Sequence, residues 1–563
     1  MTIKSNVLKY SLLAILCTSI ISCKKYLDIN TDPNNPTSIA DSKLLPKAER
    51  GIGDGLSFGS STGGLSEVLA VYMHQMSTRE EPDQYGARAT NFFIGSAWPS
   101  LYLNTLSNLD QIITDATAAG NHNYAGIAKV LKAFTFSQLV DVFGDVPFSE
   151  FNQLKEGNRY PKFDDDATIY PQLFTLLDEG ISDLKSAENV ITPGTDDIIY
   201  GGDMDKWVKA ANTIKFKMYV QIRKVQDVGT QVSALLDDPE TLINSTSESF
   251  LIPYGAVTST DDRNLGFGDY TASQRANHVS PWFYEILKGY NPNILTNNPD
   301  PRRPYYIYNQ LTKTGTPPGQ TEYRDSAFVS IYFGSGGPDR DRNQQAAISL
   351  FGIYPVGGRY DDGKGGLAST SSGTGAAPYR LITYADRLYL EAELIKEGII
   401  NGDAKAKLEE AMNESFKQVD YVISTYVKPS QDVPTLVGTA AVDTYISKAL
   451  AEYDAKPTQQ LEIIMTQKWL SSVGCSVDQY TDYRRTGFPI LFDPNNPTMA
   501  PGGKVQPPIN GDPVGNPGAQ KAVAVSLSRA YPLSLPWPQS ELDVNPNAPA
   551  PKVLSTYKIF WMP

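Results

Sequence analysis

Three histidines (74, 122 and 278) and three cysteines (17, 23 and 475) are the whole supply of imidazoles and thiols in 563 residues. None stands at CxxC or HExxH spacing, so a His/Cys metal site would need distant residues to converge. No GxSxG elbow precedes any histidine, which argues against serine hydrolysis. A glycosidase needs two carboxylates about 5 to 10 Å apart, and 62 acidic residues supply pairs that sequence alone does not arrange in space. The Gly-rich turn Gly334 to Arg340 lacks the Lys-Ser/Thr of a phosphate loop. Asp339, Asp341 and Asn343 match the first calcium-loop positions, but Gln344 and Leu350 replace the required Gly and Glu, so an EF-hand is rejected. A structural calcium ion held by a looser set of oxygens stays open.

The remaining chemistry is stacking. A sugar ring has an apolar face of C–H groups and a rim of hydroxyls, so an exposed aromatic ring can cover the face while amide, carboxylate and guanidinium groups satisfy the rim. The chain carries 32 Tyr, 21 Phe and 6 Trp. Between 251 and 380, where Gly and Pro are dense, the candidate platforms are Tyr270, Trp282, Tyr290, Tyr323, Tyr354 and Tyr360, with Asn264, Asp269 and Arg359 as polar partners. A second group lies in the polar stretch ahead of a helix: Gln75, Arg79, Asp83 and Tyr85. Each ring has the alternative reading of a core or loop-packing aromatic; Trp98, Trp207 and Trp469 are assigned to the core.

The elements that must hold these residues are helical. Apolar residues at 102, 106, 109, 112 and 113, then at 127, 130, 131 and 134, predict one helix pair. Segments 167–187 and 203–225 predict a second, 381–395 with 404–426 a third, and 442–483 a fourth. Gly120, Gly144 and Gly487 stop apolar runs, and Asp203 can cap a helix. No window sustains period-two alternation, so a mainly helical, all-α fold with a few short hairpins in the loops is expected. The expected scaffold covers about 97–225 and 381–487, around a loop-rich region at 251–380.

Apolar residues make up 41 % and charged residues 20 %, which fits a folded chain. The net charge of −13, with no basic run longer than two residues, excludes a nucleic-acid surface. Lys4 and Lys9 precede the mostly apolar run Ser11 to Ile21, the pattern of an export signal too short to span a membrane. It ends in Ile20-Ile21-Ser22-Cys23, which resembles the lipobox of bacterial lipoproteins. That resemblance makes 1–22 a signal peptide and Cys23 the lipid anchor; the Asn-, Asp-, Pro- and Thr-rich stretch up to 38 reads as a tether, so that 23–38 precede one expected domain at 39–563.

Several longer segments follow one another in order: CKKYLDINTDPNNPT from Cys23, AKVLKAFTFSQLVDVFGDVPFSE from Ala128, MDKWVKAANTIKFKMYVQIRKV from Met204, NNPDPRRPYY from Asn297, RLITYADRLYLEAEL from Arg380, QKWLSSVGCSVDQYTDYRRTGFP from Gln467 and RAYPLSLPWPQSELDVNPN from Arg529. Together they resemble the SusD-like (SusD/RagB) family of outer-membrane nutrient-binding lipoproteins. The resemblance implies four tetratricopeptide-like helix pairs, and a non-catalytic role in capturing an oligosaccharide or peptide at the cell surface. It also implies delivery to a SusC-like TonB-dependent barrel transporter as partner. The competing expectations are a surface-anchored glycan-degrading enzyme and a helical scaffold without a small ligand. Arg484, Arg485, Glu391 and Glu393 are expected to brace neighbouring helices.

Overall fold

Leu, Ala and aromatic residues repeating every three or four positions form helices that bury one face against the next. The computed structural model describes residues 39–59, 64–79, 84–87, 91–317, 319, 321–340, 345–505, 522–525, 527 and 529–563. The expected signal and tether with Cys23, as well as Asp83, Asp341 and Asn343, lie outside them. Among the described residues no helix is long and apolar enough to cross a membrane.

The four expected helix pairs form. Ser107–Ala119 packs on His122–Phe143, and Asp166–Leu184 on Met204–Ile222. Tyr384–Lys396 packs on Ala404–Val422, and Ala440–Ala455 on Gln460–Ser471, followed by a further helix, Ser476–Thr486. The expected end signals also operate. Gly120 and Gly487 close their helices at φ 75° and 82°, and the Asp203 side chain accepts the Lys206 N–H. Small residues let the scaffold close up: a Cβ on Gly126 would stand 2.9 Å from the Gly180 carbonyl oxygen, so the two helix backbones touch.

Residues 223–383 leave the helical stack and return to it, since Met204–Ile222 packs directly on Tyr384–Lys396. Strand Phe250–Ile252 pairs antiparallel with Tyr379–Ile382 and ties the two ends of this excursion together. Short hairpins were expected here. Only one of the five two-stranded ladders among the described residues is a hairpin, Tyr323–Asp325 with Phe328–Ser330. The others join distant segments, such as Met76–Thr78 with Asn277–Val279 and Ile307–Tyr308 with Leu350–Phe351. Their pairing follows from tertiary packing, which leaves no turn signature in the local sequence.

Buried charges lock the stack at the point of return, as expected. Glu393 receives Arg485 through two hydrogen bonds, Nε to Oε1 at 2.9 Å and Nη2 to Oε2 at 2.7 Å, and Arg223 Nε at 3.0 Å. Burial alone would raise the Glu393 carboxyl; the Arg485 and Arg223 guanidiniums outweigh it and hold the group at about 2. Arg484 donates to the Leu533 and Asp141 carbonyls at 2.9 and 2.5 Å and lies 3.8 Å over the Tyr480 ring, pinning the C-terminal segment to the scaffold. Glu391 pairs with Arg387 on its own helix and with Lys407 of the next at 3.1 Å.

Candidate functional site

A half-exposed aromatic surface begins at a bend in the backbone. After helix Leu65–Tyr72, His74 adopts the left-handed conformation (φ 54°) and turns the chain into strand Met76–Thr78. The turn lays the His74 ring on Phe333, centroids 3.7 Å apart, and puts Nε2 3.0 Å from the Tyr85 hydroxyl. The Tyr72 hydroxyl donates to the Tyr85 carbonyl at 3.2 Å, so the short helix Gln84–Ala87 is held from two sides. The Tyr85 ring then meets Tyr531 edge-on at 5.3 Å, and Tyr531 meets Tyr483 at 4.9 Å. Tyr483 comes from helix Ser476–Thr486, which packs on Leu65–Tyr72.

Four chain segments thus build one aromatic wall. Tyr85 and Phe333 form its buried backing; Tyr483 and Tyr531 are half-exposed. The exposed Arg529 guanidinium lies against Gly86, and half-buried Arg79 stands one residue past strand Met76–Thr78. Burial pushes the Tyr85 and Tyr531 phenols up and holds His74 neutral at about 3. Neutral rings, phenolic hydroxyls and the Arg529 guanidinium suit stacking and hydrogen bonding rather than proton transfer.

The other sequence candidates are dispersed. Of the eighteen aromatic residues between 251 and 380, fifteen are buried. Tyr270 lies parallel to Phe267 at 4.9 Å; its hydroxyl donates to the Phe351 carbonyl at 2.9 Å and accepts the Arg359 N–H at 3.1 Å. Tyr323 meets Tyr332 at 5.2 Å, and Tyr354 packs on Tyr306 at 5.4 Å beneath the Arg380 guanidinium. These three rings are core and present no face to a ligand, which corrects the platform expectation. The polar candidates are corrected for the same reason. Asn264 spends its amide on Gly266 N–H and the Ala377 carbonyl, Gln75 donates to the Trp469 carbonyl at 3.0 Å, and Asp269 is buried. A region with few helices fills its irregular interior with large rings, so loop placement here means packing.

Four candidates keep partial exposure. Tyr360 meets Tyr305 at 4.8 Å, and Arg359 covers the Tyr308 ring at 5.1 Å and gives its backbone N–H to the Tyr270 hydroxyl. Tyr290 lies beside the Lys288 ammonium at 5.2 Å. Trp282 lines a narrow cavity with Asn291, Thr466 and Ile490. Trp98 (8 % exposed), Trp207 and Trp469 are core, as expected.

Tyr483, Tyr531, Phe333 and His74 were missed by the sequence reading. Tyr483 and Tyr531 lie in segments quoted for the family resemblance, but neither periodicity nor composition marks their rings as surface. Two clefts of about 480 and 440 Å³ were also not foreseen. Arg50, which covers the Tyr254 ring at 4.6 Å, lines the first beside Asp54 and Asp261. Arg387, Glu391, Lys407 and Glu410 line the second, already paired with one another. Neither offers an uncovered ring. Asp145, Asp165 and Asp166 place carboxylate oxygens within 4.8 Å of one another. Asp166 Oδ2 accepts the Phe560 N–H, Asp145 Oδ1 the Asp166 N–H and Asp165 Oδ1 the Thr168 N–H, so all three carboxylates already hold backbone.

Residues 33–508 match the family profile SusD-like_2, described as "Starch-binding associating with outer membrane". No curated protein sequence matches the chain. Among solved structures, a SusD/RagB family protein from Bacteroides thetaiotaomicron superposes with TM-score 0.63 at 19 % identity, over 93 % of this chain and 99 % of that one. A chitin-binding protein superposes with TM-score 0.61 at 20 % identity over 90 % and 95 %. A SusD homolog from Bacteroides uniformis gives 0.59 at 18 % over 92 % and 99 %. At these identities the likeness is one of fold.

Proposed function

The chain belongs to the SusD-like family, and from that premise we propose that it is a surface glycan-binding protein of the outer membrane that captures an oligosaccharide without cleaving it. The observation that carries the reading is the wall of Tyr85, Tyr531 and Tyr483, whose half-exposed outer rings can cover the C–H face of a sugar. The Arg529 guanidinium lies against Gly86, next to Tyr85, where sugar hydroxyls would meet the wall. In this reading residues 39–563 form one binding domain held by the tether to an acylated Cys23, on the outside of the cell. The bound chain passes to a TonB-dependent barrel transporter as partner. The family description and the chitin-binding structural neighbour make starch and chitin oligosaccharides the first ligands to try. Purified chain on a glycan and peptide array, followed by prolonged incubation with any hit, tests it. Retention of an oligosaccharide without products supports capture; product formation favours the surface enzyme, and an array without hits favours the scaffold.

A further inference from the structure

Large apolar side chains exposed singly are ordinary, but one group of them sits where the chain from the anchor arrives. Val190 and Ile191 are 75 % and 58 % exposed, in the loop after helix Asp166–Leu184. Asn121 fixes that loop to the start of the first described helix. Its side chain accepts the Ile191 N–H at 3.0 Å and donates to Asp41 Oδ2 at 3.5 Å, while the Val190 N–H donates to the Gly120 carbonyl at 3.3 Å. Two residues before Asp41 lies Ile39, 50 % exposed. The same edge therefore carries three uncovered aliphatic side chains and the point at which the tether joins the fold.

We infer that Ile39, Val190 and Ile191 form a membrane-contact edge, by which the folded domain rests on the lipid surface that holds Cys23. This inference depends on the acylation of Cys23 in the reading above. Residues 24–38 separate Cys23 from Ile39, and fifteen residues reach at most about 50 Å even when fully extended. An anchored chain therefore keeps this edge nearer the bilayer than the tether's contour length. Aliphatic side chains this exposed gain by entering the boundary between headgroups and acyl chains. Because the anchor already holds the domain there, even a weak contact is populated through its high effective concentration.

The test uses the full lipidated protein reconstituted in phospholipid vesicles. Val190→Cys carries a polarity-sensitive fluorophore; Cys475 is buried and an acylated Cys23 has no free thiol, so labelling is selective. Val553→Cys, at a residue 66 % exposed elsewhere on the surface, serves as the reference probe. The expected result is blue-shifted emission from the 190 probe, quenched by lipid-borne nitroxide, with the 553 probe remaining aqueous. Ile191→Asp, in an exposed loop, should return the 190 probe to its aqueous spectrum. Acylated protein on vesicles with an aqueous 190 probe overturns the edge alone. Mature protein whose mass lacks acyl chains overturns the anchor reading and the edge with it. A probe that turns apolar in lipid-free solution as protein concentration rises assigns the edge to a second copy and also overturns the inference.

Discussion

Replacing Glu393 by Gln removes the charge at the centre of the lock between helices Met204–Ile222, Tyr384–Lys396 and Ser476–Thr486. A glutamate in an open chain titrates near 4.5; in the fold Glu393 lies at about 2, because Arg485 and Arg223 outweigh the cost of burial. A carboxyl lowered in the fold adds stability that is complete above the unfolded value and disappears as pH falls through the folded one. The difference between 4.5 and about 2 corresponds to about 3 kcal/mol near pH 7, at about 1.4 kcal/mol per unit. Glu393→Gln removes the carboxylate that the two guanidiniums share and leaves Arg485 with Asp482 and Arg223 with Glu397, which agrees in size with the roughly 3 to 5 kcal/mol lost when a buried pair is broken. Urea unfolding of both proteins across pH should show a gap of about 3 kcal/mol near neutrality, shrinking by about 2 kcal/mol near pH 3. A gap below about 1 kcal/mol, or one that keeps its size across that range, refutes the claim that this network locks the stack.

His74 is held neutral at about 3 while the unfolded chain binds a proton below about 6.5, so stability falls as pH drops between those values. His74→Asn, which tolerates the left-handed backbone, should flatten that part of the melting-temperature profile. Asp197 accepts the N–H groups of Ile199, Tyr200 and Gly202 and the Trp207 indole N–H, so Asp197→Ala should cost about 3 kcal/mol in thermal unfolding without changing ligand affinity. Tyr360→Ala, outside the aromatic wall, should leave oligosaccharide affinity within about twofold in a calorimetric titration, a change of about 0.4 kcal/mol.

The scaffold was legible because a helix writes its buried face every three or four residues. Trp207, Ile214 and Met218 are spaced that way and are buried in one helix. The brace was legible through chemistry: arginines and glutamates inside apolar helices must find one another, as Arg485 and Glu393 do. The site was not. Tyr270, Tyr323 and Tyr354 have the composition of a platform and the surroundings of a core, and a loop has no period to separate the two. Tyr483, Tyr531 and Tyr85 come from segments some fifty to four hundred positions apart, and only the packing of Ser476–Thr486 on Leu65–Tyr72 brings them together. The long-range strand pairs were hidden for the same reason: no turn residue announces a ladder whose strands lie more than a hundred positions apart.

The most direct test of the account is a calorimetric titration of the oligosaccharide selected by the array against the unaltered protein, Tyr483→Ala and Tyr531→Ala, with Tyr360→Ala in parallel. Loss of a stacking ring is expected to cost about 1.5 kcal/mol, so each variant at the wall should bind about tenfold more weakly, while the fold and the Tyr360→Ala affinity stay unchanged. Unchanged affinity in both wall variants, or a loss confined to Tyr360→Ala, would contradict it.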